Sequence, residues 1–416
     1  MEKIKLNTKQ RRELHLSLLG FFKDHNFNQT ISKFQKEANL IDQDGTSKIL
    51  ERKWNSVLRL QRKILELENK VKKLEEDLSQ TSLGKQRETK SDATPVSPSR
   101  FTLEGHQEAI VSIKYHPKLT LIGTVSEDGT IKIWDYEMGE YKRTLRGHKG
   151  VVQALDWSED GSILVTSSAD LSIKLWDTNG DWNCLKTLIG HEENVSSVVF
   201  LPKSLQIVSS SRDKTIKLWE LSTGFCIKTF VGHDDWVRKV IVNFDGSVLA
   251  SCSSDQTARI WNISTGKCLK VLKGHEHVIE SLDFSPLEAN EYISKIESNQ
   301  NEKSEKVVKK EPSSYLVTGS RDKTIKLWDI STGQCIQTFI GHDNWVRQVL
   351  FHPCGKFIIS CSDDRTIRIW EIETGRCIRI LYEAHEHFIQ TLSFNPRFPQ
   401  LASGSVDCML KIWDCR

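Results

Sequence analysis

Residues 190–219 read GHEENVSSVVFLPKSLQIVSSSRDKTIKLW, and the spacing of four residue types in this stretch recurs along the chain. His191 precedes Trp219 by 28 residues, and Ser209 and Asp213 lie between them, ten and six residues before that Trp. Seven copies keep these spacings, except that the fifth separates its His from its Trp by 53 residues. The His, Asp and Trp members are His106, Asp128, Trp134; His148, Asp170, Trp176; His191, Asp213, Trp219; His233, Asp255, Trp261; His275, Asp322, Trp328; His342, Asp364, Trp370; and His385, Asp407, Trp413. A fixed period of this kind indicates a fold built from repeated structural units.

Each copy also carries the local signals of short strands and tight turns. TIKLW at 215–219 alternates apolar and polar residues, as a half-buried strand does. The preceding Asp213 favours a turn, because its side chain can accept hydrogen bonds from nearby main-chain groups. The hydroxyl positions are Thr124, Thr166, Ser209, Ser251, Thr318, Ser360 and Ser403. The pattern resembles the WD-repeat family, in which each repeat forms a four-stranded propeller blade held by its His, Ser/Thr, Asp and Trp.

The resemblance implies a mainly β, seven-bladed propeller over residues 100–416. Phe101–Leu103 has the form of the strand that precedes each Gly-His, and the chain ends three residues after Trp413. We therefore expect this N-terminal strand to complete the last blade. The fifth copy contains a charged insert, 287–311, which we predict to be a solvated loop between two strands of blade five.

The composition excludes several classes of protein. The 416 residues include 58 basic and 55 acidic side chains, so the net charge of +3 gives no electrostatic basis for bulk nucleic-acid binding. No apolar run is long enough for a membrane span, and the N-terminus lacks the apolar stretch of a signal peptide. We expect a reduced, cytosolic protein with no membrane insertion.

The first forty residues predict a helical hairpin. The apolar residues of 7–41 fall into two helical stretches, and short helices with this much aromatic surface need a partner to cover it. The pattern resembles the LisH motif, an α-helical hairpin that dimerises, although Asn26 stands where that family usually has Gly. Its candidate dimerisation residues are Leu14, Leu18, Phe22 and Phe34.

A heptad pattern follows at residues 50–80. Its apolar positions include Leu60, Ile64, Leu67, Val71 and Leu74, spaced alternately by four and three residues. Ile and Val at one seam position with Leu at the other favour a parallel two-stranded coiled coil. The alternative is a single amphipathic helix packed on the propeller. Residues 81–99 are polar, contain two prolines and predict a flexible linker.

Catalytic motifs are absent from the sequence. There is no phosphate-binding loop, dinucleotide-binding turn, nucleophile elbow or H-E-x-x-H zinc motif. The pairs His275/His277 and His385/His387 each use a repeat histidine, so we assign them to the scaffold and expect no metal or other cofactor. Five cysteines recur once per blade at the start of the fourth strand, and we expect buried thiols there: Cys184, Cys226, Cys268, Cys335 and Cys377. The sequence indicates a protein that is not an enzyme.

A propeller presents loops at its narrow face, and three positions in each blade are expected to project there. The first and second positions lie three and five residues after the repeat His, and the third lies one residue before the turn Asp. Large planar and cationic residues concentrate at these positions in blades three to six. They are Arg212, Trp236, Arg238, Arg321, Trp345 and Arg347. Trp and Arg together are typical of binding hot spots, so we interpret this set as a partner-binding surface.

The order LisH motif, coiled coil, linker and propeller resembles the lissencephaly or nuclear distribution protein family over essentially the whole chain. The resemblance implies a homodimer that binds the heavy chain of cytoplasmic dynein at its motor domain, with Arg212, Arg238, Arg321 and Trp345 at matching positions. It also implies nuclear-distribution coiled-coil adaptors as partners, and roles in microtubule transport, nuclear positioning and the spindle. The expected location is the cytoplasm and cytoskeleton, on microtubules and at the centrosome or spindle pole. Two alternatives stay open: an adaptor subunit of a ubiquitin ligase, and a non-catalytic subunit of a platelet-activating-factor acetylhydrolase.

Overall fold

The computed structural model describes residues 92–300 and 313–416, together with three isolated helical positions, Leu18, Lys63 and Lys70. The predicted LisH motif at 7–41 and the predicted coiled coil at 50–80 otherwise lie outside the described residues.

The described residues form seven four-stranded antiparallel sheets, which confirms the predicted seven-bladed propeller. Blades one to three contain β2 (Ile110–Tyr115), β3 (Leu121–Ser126), β4 (Ile131–Asp135), β5 (Glu140–Leu145); β6 (Val152–Trp157), β7 (Ile163–Ser168), β8 (Ser172–Asp177), β9 (Cys184–Ile189); and β10 (Val195–Phe200), β11 (Gln206–Ser211), β12 (Thr215–Glu220), β13 (Cys226–Val231). Blades four and five contain β14 (Val237–Val242), β15 (Val248–Ser253), β16 (Thr257–Asn262), β17 (Cys268–Lys273); and β18 (Ile279–Phe284), β19 (Tyr315–Ser320), β20 (Thr324–Asp329), β21 (Cys335–Ile340). Blades six and seven contain β22 (Val346–Phe351), β23 (Phe357–Ser362), β24 (Ile367–Glu371), β25 (Cys377–Leu381); and β26 (Ile389–Phe394), β27 (Gln400–Ser405), β28 (Leu410–Asp414), with β1 (Phe101–Leu103) as the fourth strand.

The last blade joins the two ends of the propeller. Strand β1 pairs antiparallel with β28, and Phe101 and Leu103 lie opposite Ile412 and Leu410. Leu103 and Ile412 are buried with residues of blade one, so the shared blade also packs against its neighbour. The predicted closure by the N-terminal strand is confirmed.

The propeller begins before residue 100, within the segment that was predicted to be a flexible linker. The main chains of Thr94 and Arg416 exchange two hydrogen bonds, of 3.2 and 3.0 Å. In blade six, His352 contacts the carbonyl oxygen of Ala93 through Nε2 at 2.9 Å. Burial of Ala93, Thr94 and Pro95 accounts for this order, because their main-chain groups then need partners in the propeller.

The insert in blade five is helical where the structure describes it, so the prediction of a solvated loop is wrong there. Helix α1 (Ala289–Gln300) lies between β18 and β19, and Ala289, Ile293 and Ile296 are buried. Their i, i+4, i+7 spacing places them on one face of the helix, which packs with residues of blades five and six. The approach to blade six is close, since a side chain at Gly355 (φ +72°) would collide with the backbone of Ala289.

Truncation of this buried face should destabilise the propeller. We expect Ile293→Ala to lower the free energy of unfolding by about 2–5 kcal/mol, because a fully buried side chain would leave a cavity between two blades. Denaturant unfolding measures the change. Ser294→Ala is the matched control on the same helix, since the Ser294 hydroxyl donates to the local carbonyl of Glu291 at 2.9 Å, and it should change stability by about 0.5 kcal/mol or less. Equal losses in the two variants would contradict the packing role of α1.

Candidate partner-binding site

A four-residue hydrogen-bond set recurs in all seven blades. Each repeat His places Nδ1 2.6–3.0 Å from an Asp carboxylate oxygen and Nε2 2.7–2.8 Å from a Ser or Thr hydroxyl. The repeat Trp donates from Nε1 to the same hydroxyl at 2.8–2.9 Å. Because the ionised Asp carboxylate can only accept, Nδ1–H of the His donates to it, and Nε2 of the neutral imidazole then accepts the hydroxyl proton. These residues connect the loops to the strands within each blade.

In blades one, two, six and seven the ionisation of this set favours neutral His and charged Asp. Burial lowers the pKa of His106 below 6.5, and the hydrogen bond to Asp128 offsets only part of that effect. Burial alone would raise the pKa of Asp128, but hydrogen bonds from Thr130 and His106 outweigh it and bring the pKa to about 2. Burial likewise lowers the pKa of His148, His342 and His385.

The stability of the propeller should therefore fall as the solution is acidified. Both groups have a lower pKa in the folded state, so the unfolded chain binds their protons first. The contribution of His106 to stability is complete above pH 6.5 and is lost as the pH falls below that value. The contribution of Asp128 to stability is complete above pH 3.8 and is lost as the pH falls towards about 2. We expect a falling melting temperature from pH 7 downward, measured calorimetrically at constant ionic strength. A melting temperature that rises between pH 7 and pH 5 would contradict this assignment.

The strand geometry explains why three positions per blade meet at one face. In every blade the main-chain N–H of the third position donates to the carbonyl of the first, as Ser254 does to Trp236 at 2.8 Å. The second position lies at a register shift between the first two strands; Arg238, for example, is skipped between Val237 and Lys239. Such a β-bulge redirects a side chain relative to a regular strand.

The first cluster spans blades three and four, and we call it the three–four clamp: Arg212, Trp236 and Arg238. The guanidinium carbon of Arg212 lies 3.2 Å from the centroid of the Trp236 ring, and that of Arg238 lies 5.1 Å from it. Arg238 also donates from Nε to the Ser254 hydroxyl at 2.9 Å. Cation–π stacking on the indole restricts both guanidinium groups and orients their N–H donors.

The second cluster repeats this arrangement across blades five and six, and we call it the five–six clamp: Arg321, Trp345 and Arg347. The guanidinium carbons of Arg321 and Arg347 lie 4.3 and 5.0 Å from the Trp345 ring centroid. Here the cations have carboxylate partners. Arg321 Nε donates to Glu280. Arg347 donates from Nε and Nη2 to the two oxygens of Asp363, each at 2.8 Å.

The structure thus brings the six predicted surface residues together as two groups of three. All six are half-buried, because the planar groups of each clamp cover one another. Sequence reasoning missed the role of Glu280 and Asp363, which occupy the same projecting positions but are neither aromatic nor cationic. Their spacing from the repeat His and the turn Asp was the available signal.

A cavity of about 390 Å³ lies where the first strands of the blades meet, and its charged residues include Lys114, Asp156, Lys239 and Asp283. Asp156 accepts the main-chain N–H of Phe200 at 2.9 Å, and Asp283 accepts that of Phe351 at 2.8 Å. Burial raises the pKa of Asp283 to about 6, although the hydrogen bond from Phe351 acts in the opposite direction. Each carboxylate thus links two adjacent blades, so both residues have a structural role.

The recurring cysteines differ from the prediction of buried thiols. Cys184, Cys226, Cys268 and Cys335 are exposed and Cys377 is half-buried, because the fourth strand forms the outer edge of a blade. Each sulfur contacts the carbonyl oxygen two residues further along, at 3.3–3.6 Å. Across 92–300 and 313–416, no group of three or more His, Cys, Asp or Glu side chains is arranged to hold a metal ion.

Among the helices that the structure describes, none has the length and apolar character needed to cross a membrane.

Comparison with known proteins agrees with this architecture. The family model described as "WD domain, G-beta repeat" matches residues 97–135, 139–177, 182–220, 224–262, 311–329, 333–371 and 375–414. A "Lissencephaly-1 homolog" of Heterostelium pallidum is 58% identical over 413 residues, covering 98% of this chain and 99% of the relative. A protein of the same name from Dictyostelium discoideum is 57% identical over 417 residues, with 98% and 99% coverage. The "Nuclear distribution protein PAC1" of Mycosarcoma maydis is 57% identical over 360 residues, covering 84% of this chain and 79% of the relative.

Proposed function

The chain belongs to the family of Lissencephaly-1 homologues and nuclear distribution proteins, and from that premise we propose that it is a non-catalytic, dimeric regulator that binds the motor domain of cytoplasmic dynein. Through this binding it promotes dynein-dependent transport along microtubules, nuclear positioning and spindle function. Its sites of action are the cytoplasm and cytoskeleton, on microtubules and at the centrosome or spindle pole.

The observation that carries this proposal is the pair of Arg–Trp–Arg clamps on one face of the propeller. Arg212 stacks on Trp236 and Arg321 stacks on Trp345, so each clamp presents an indole with two guanidinium groups. Trp and Arg are the residues most enriched at the centres of protein interfaces. A protein partner with acidic and apolar groups fits this surface better than a small substrate does.

A dimer would strengthen such binding without any new contact. Two propellers on one stalk can engage one motor or two, and after the first engages, the second is held at a raised effective concentration. We assign dimerisation to the LisH motif at 7–41 and the coiled coil at 50–80. Nuclear-distribution coiled-coil adaptors are the further partners that we propose.

Affinity capture of the full-length protein from its own cells, with identification by mass spectrometry, tests the proposal. We expect dynein heavy chain to be recovered with the wild type and depleted with a variant in which Arg321 and Trp345 are both Ala. Recovery of ubiquitin-ligase subunits or of a small acetylhydrolase in place of dynein would contradict the proposal and support one of the two alternatives.

A further inference from the structure

The two clamps use the same three positions of their blades but differ in the acidic residues around them. Glu280 occupies the second position of blade five, and Ser196 occupies the second position of blade three. Asp363 occupies the third position of blade six, and Ser254 occupies the third position of blade four. Each carboxylate at the five–six clamp therefore has a serine as its counterpart at the three–four clamp.

At the five–six clamp these carboxylates neutralise the cations. Arg321 pairs with Glu280, Arg347 forks onto Asp363, and Oε1 of Glu280 also lies 3.7 Å from Nη1 of Arg347. The exposed fractions of these side chains are small: 18% for Arg321, 11% for Glu280, 20% for Arg347 and 3% for Asp363. Two cations and two anions are thus held together in a partly desolvated cluster, where ion pairs are screened little by salt.

At the three–four clamp the serines form hydrogen bonds but no ion pairs with the cations. Ser254 accepts the Nε–H of Arg238, and Ser196 donates its hydroxyl proton to the main-chain carbonyl of Val237. Within the part of the chain that the structure describes, neither Arg212 nor Arg238 forms an ion pair with a carboxylate. Burial lowers the pKa of Arg238, and the charge of Glu280 offsets part of that effect from outside ion-pair contact.

Arg212 is the cation best placed to receive an anion. Its guanidinium lies over the Trp236 ring at 3.2 Å, and its N–H donors meet no acceptor among the described residues. Stacking holds the planar group in one orientation, so that two parallel N–H bonds can be directed to one carboxylate. By contrast, Arg347 already donates from Nε and Nη2 to Asp363.

We infer that the two clamps divide the recognition of the partner: Arg212 and Arg238 take an acidic side chain of the motor domain, whereas the neutralised five–six clamp takes an uncharged group against Trp345. This inference rests on the proposed function, because it specifies which chemistry of the dynein motor each clamp meets. Glu280 and Asp363 act as positioning residues that hold Arg321 and Arg347 beside the indole and prevent them from attracting a second anion.

Exchanging Ser254 of the three–four clamp with Asp363 of the five–six clamp tests this division without changing the net charge. Ser254→Asp should place a carboxylate beside Arg238 and weaken binding of purified motor domain by at least about tenfold, since a charge-assisted hydrogen bond to the partner is replaced by an internal one. Asp363→Ser should weaken binding less than Ser254→Asp does, because Ser254 shows that a serine at this position can accept the Nε–H of the clamp arginine. The double variant keeps the wild-type net charge and should bind at least as weakly as Ser254→Asp alone.

Arg212→Gln gives an independent readout, since it removes the guanidinium charge that would receive the anion and should also weaken binding by at least about tenfold. Melting temperatures are compared first, so that only folded variants are scored. Wild-type affinity in both Ser254→Asp and Arg212→Gln, or a loss with Asp363→Ser as large as that with Ser254→Asp, would overturn the division. Loss of binding after phosphatase treatment of the motor would show that the bound anion is a phosphate, and would overturn its assignment as a carboxylate. A wild-type protein that does not bind the motor at all would contradict the proposed function itself.

Discussion

The double substitution Arg321→Ala and Trp345→Ala is expected to abolish binding of the dynein motor domain while the propeller stays folded and dimeric. The two side chains form one surface across blades five and six, with the guanidinium carbon 4.3 Å from the ring centroid. Truncation of one hot-spot residue typically costs at least ~2 kcal/mol, about thirtyfold in affinity. Loss of both should exceed that value, because the indole and its stacked cation form a single contact area.

Lys203→Ala is the control for this variant. Lys203 is exposed and lies between β10 and β11, at the opposite end of the strands from the clamps. Affinities of the wild type, the control and the double variant should be compared at matched salt, because surface charge effects are screened. A double variant that binds the motor as tightly as the control would exclude the clamps as the motor site. The surface formed by α1 would then be the next candidate.

A second large effect is expected from Leu67→Asp, which should convert the proposed dimer to a monomer. Leu67 lies in the predicted apolar seam, and a charge placed there would be buried without a partner at the helix–helix interface. Sedimentation velocity at micromolar concentration measures the oligomeric state, and circular dichroism reports the fold of the propeller. Asn69→Asp is the matched control, since its heptad position faces away from the seam and should leave the dimer intact. A Leu67→Asp protein that sediments as a dimer would contradict the coiled-coil prediction.

The parts of the fold that sequence could predict are those that spacing determines. The repeat His, Asp and Trp keep the same spacing along the chain because each blade needs the same hydrogen bonds. Seven occurrences of that spacing therefore predict seven blades. The closing strand was recognisable because Phe101–Leu103 has the form of the other fourth strands. These features depend on residues within one repeat, or on a comparison of repeats.

The features that were missed depend on contacts between blades. In α1, Ala289, Ile293 and Ile296 have helical spacing, but the many charged residues of the insert masked it, and the partners of the helix lie in blades five and six. The order of 92–99 depends in part on His352, which is distant in sequence.

The sequence predicted which residues form the candidate site but not how those residues are arranged. Spacing placed Arg321 and Trp345 on one face, whereas their stacking and the pairing of Arg321 with Glu280 depend on how blades five and six meet. The bulge at the second position also has no separate sequence signal, since it arises from the pairing register of the first two strands.

Mass photometry of the purified full-length protein titrated with purified dynein motor domain measures whether the two proteins associate. We expect a saturable complex of one protein dimer with one or two motor domains, formed by the wild type and the Lys203→Ala control and lost in the Arg321→Ala/Trp345→Ala variant. A wild-type protein that remains separate from the motor domain throughout the titration would contradict this expectation.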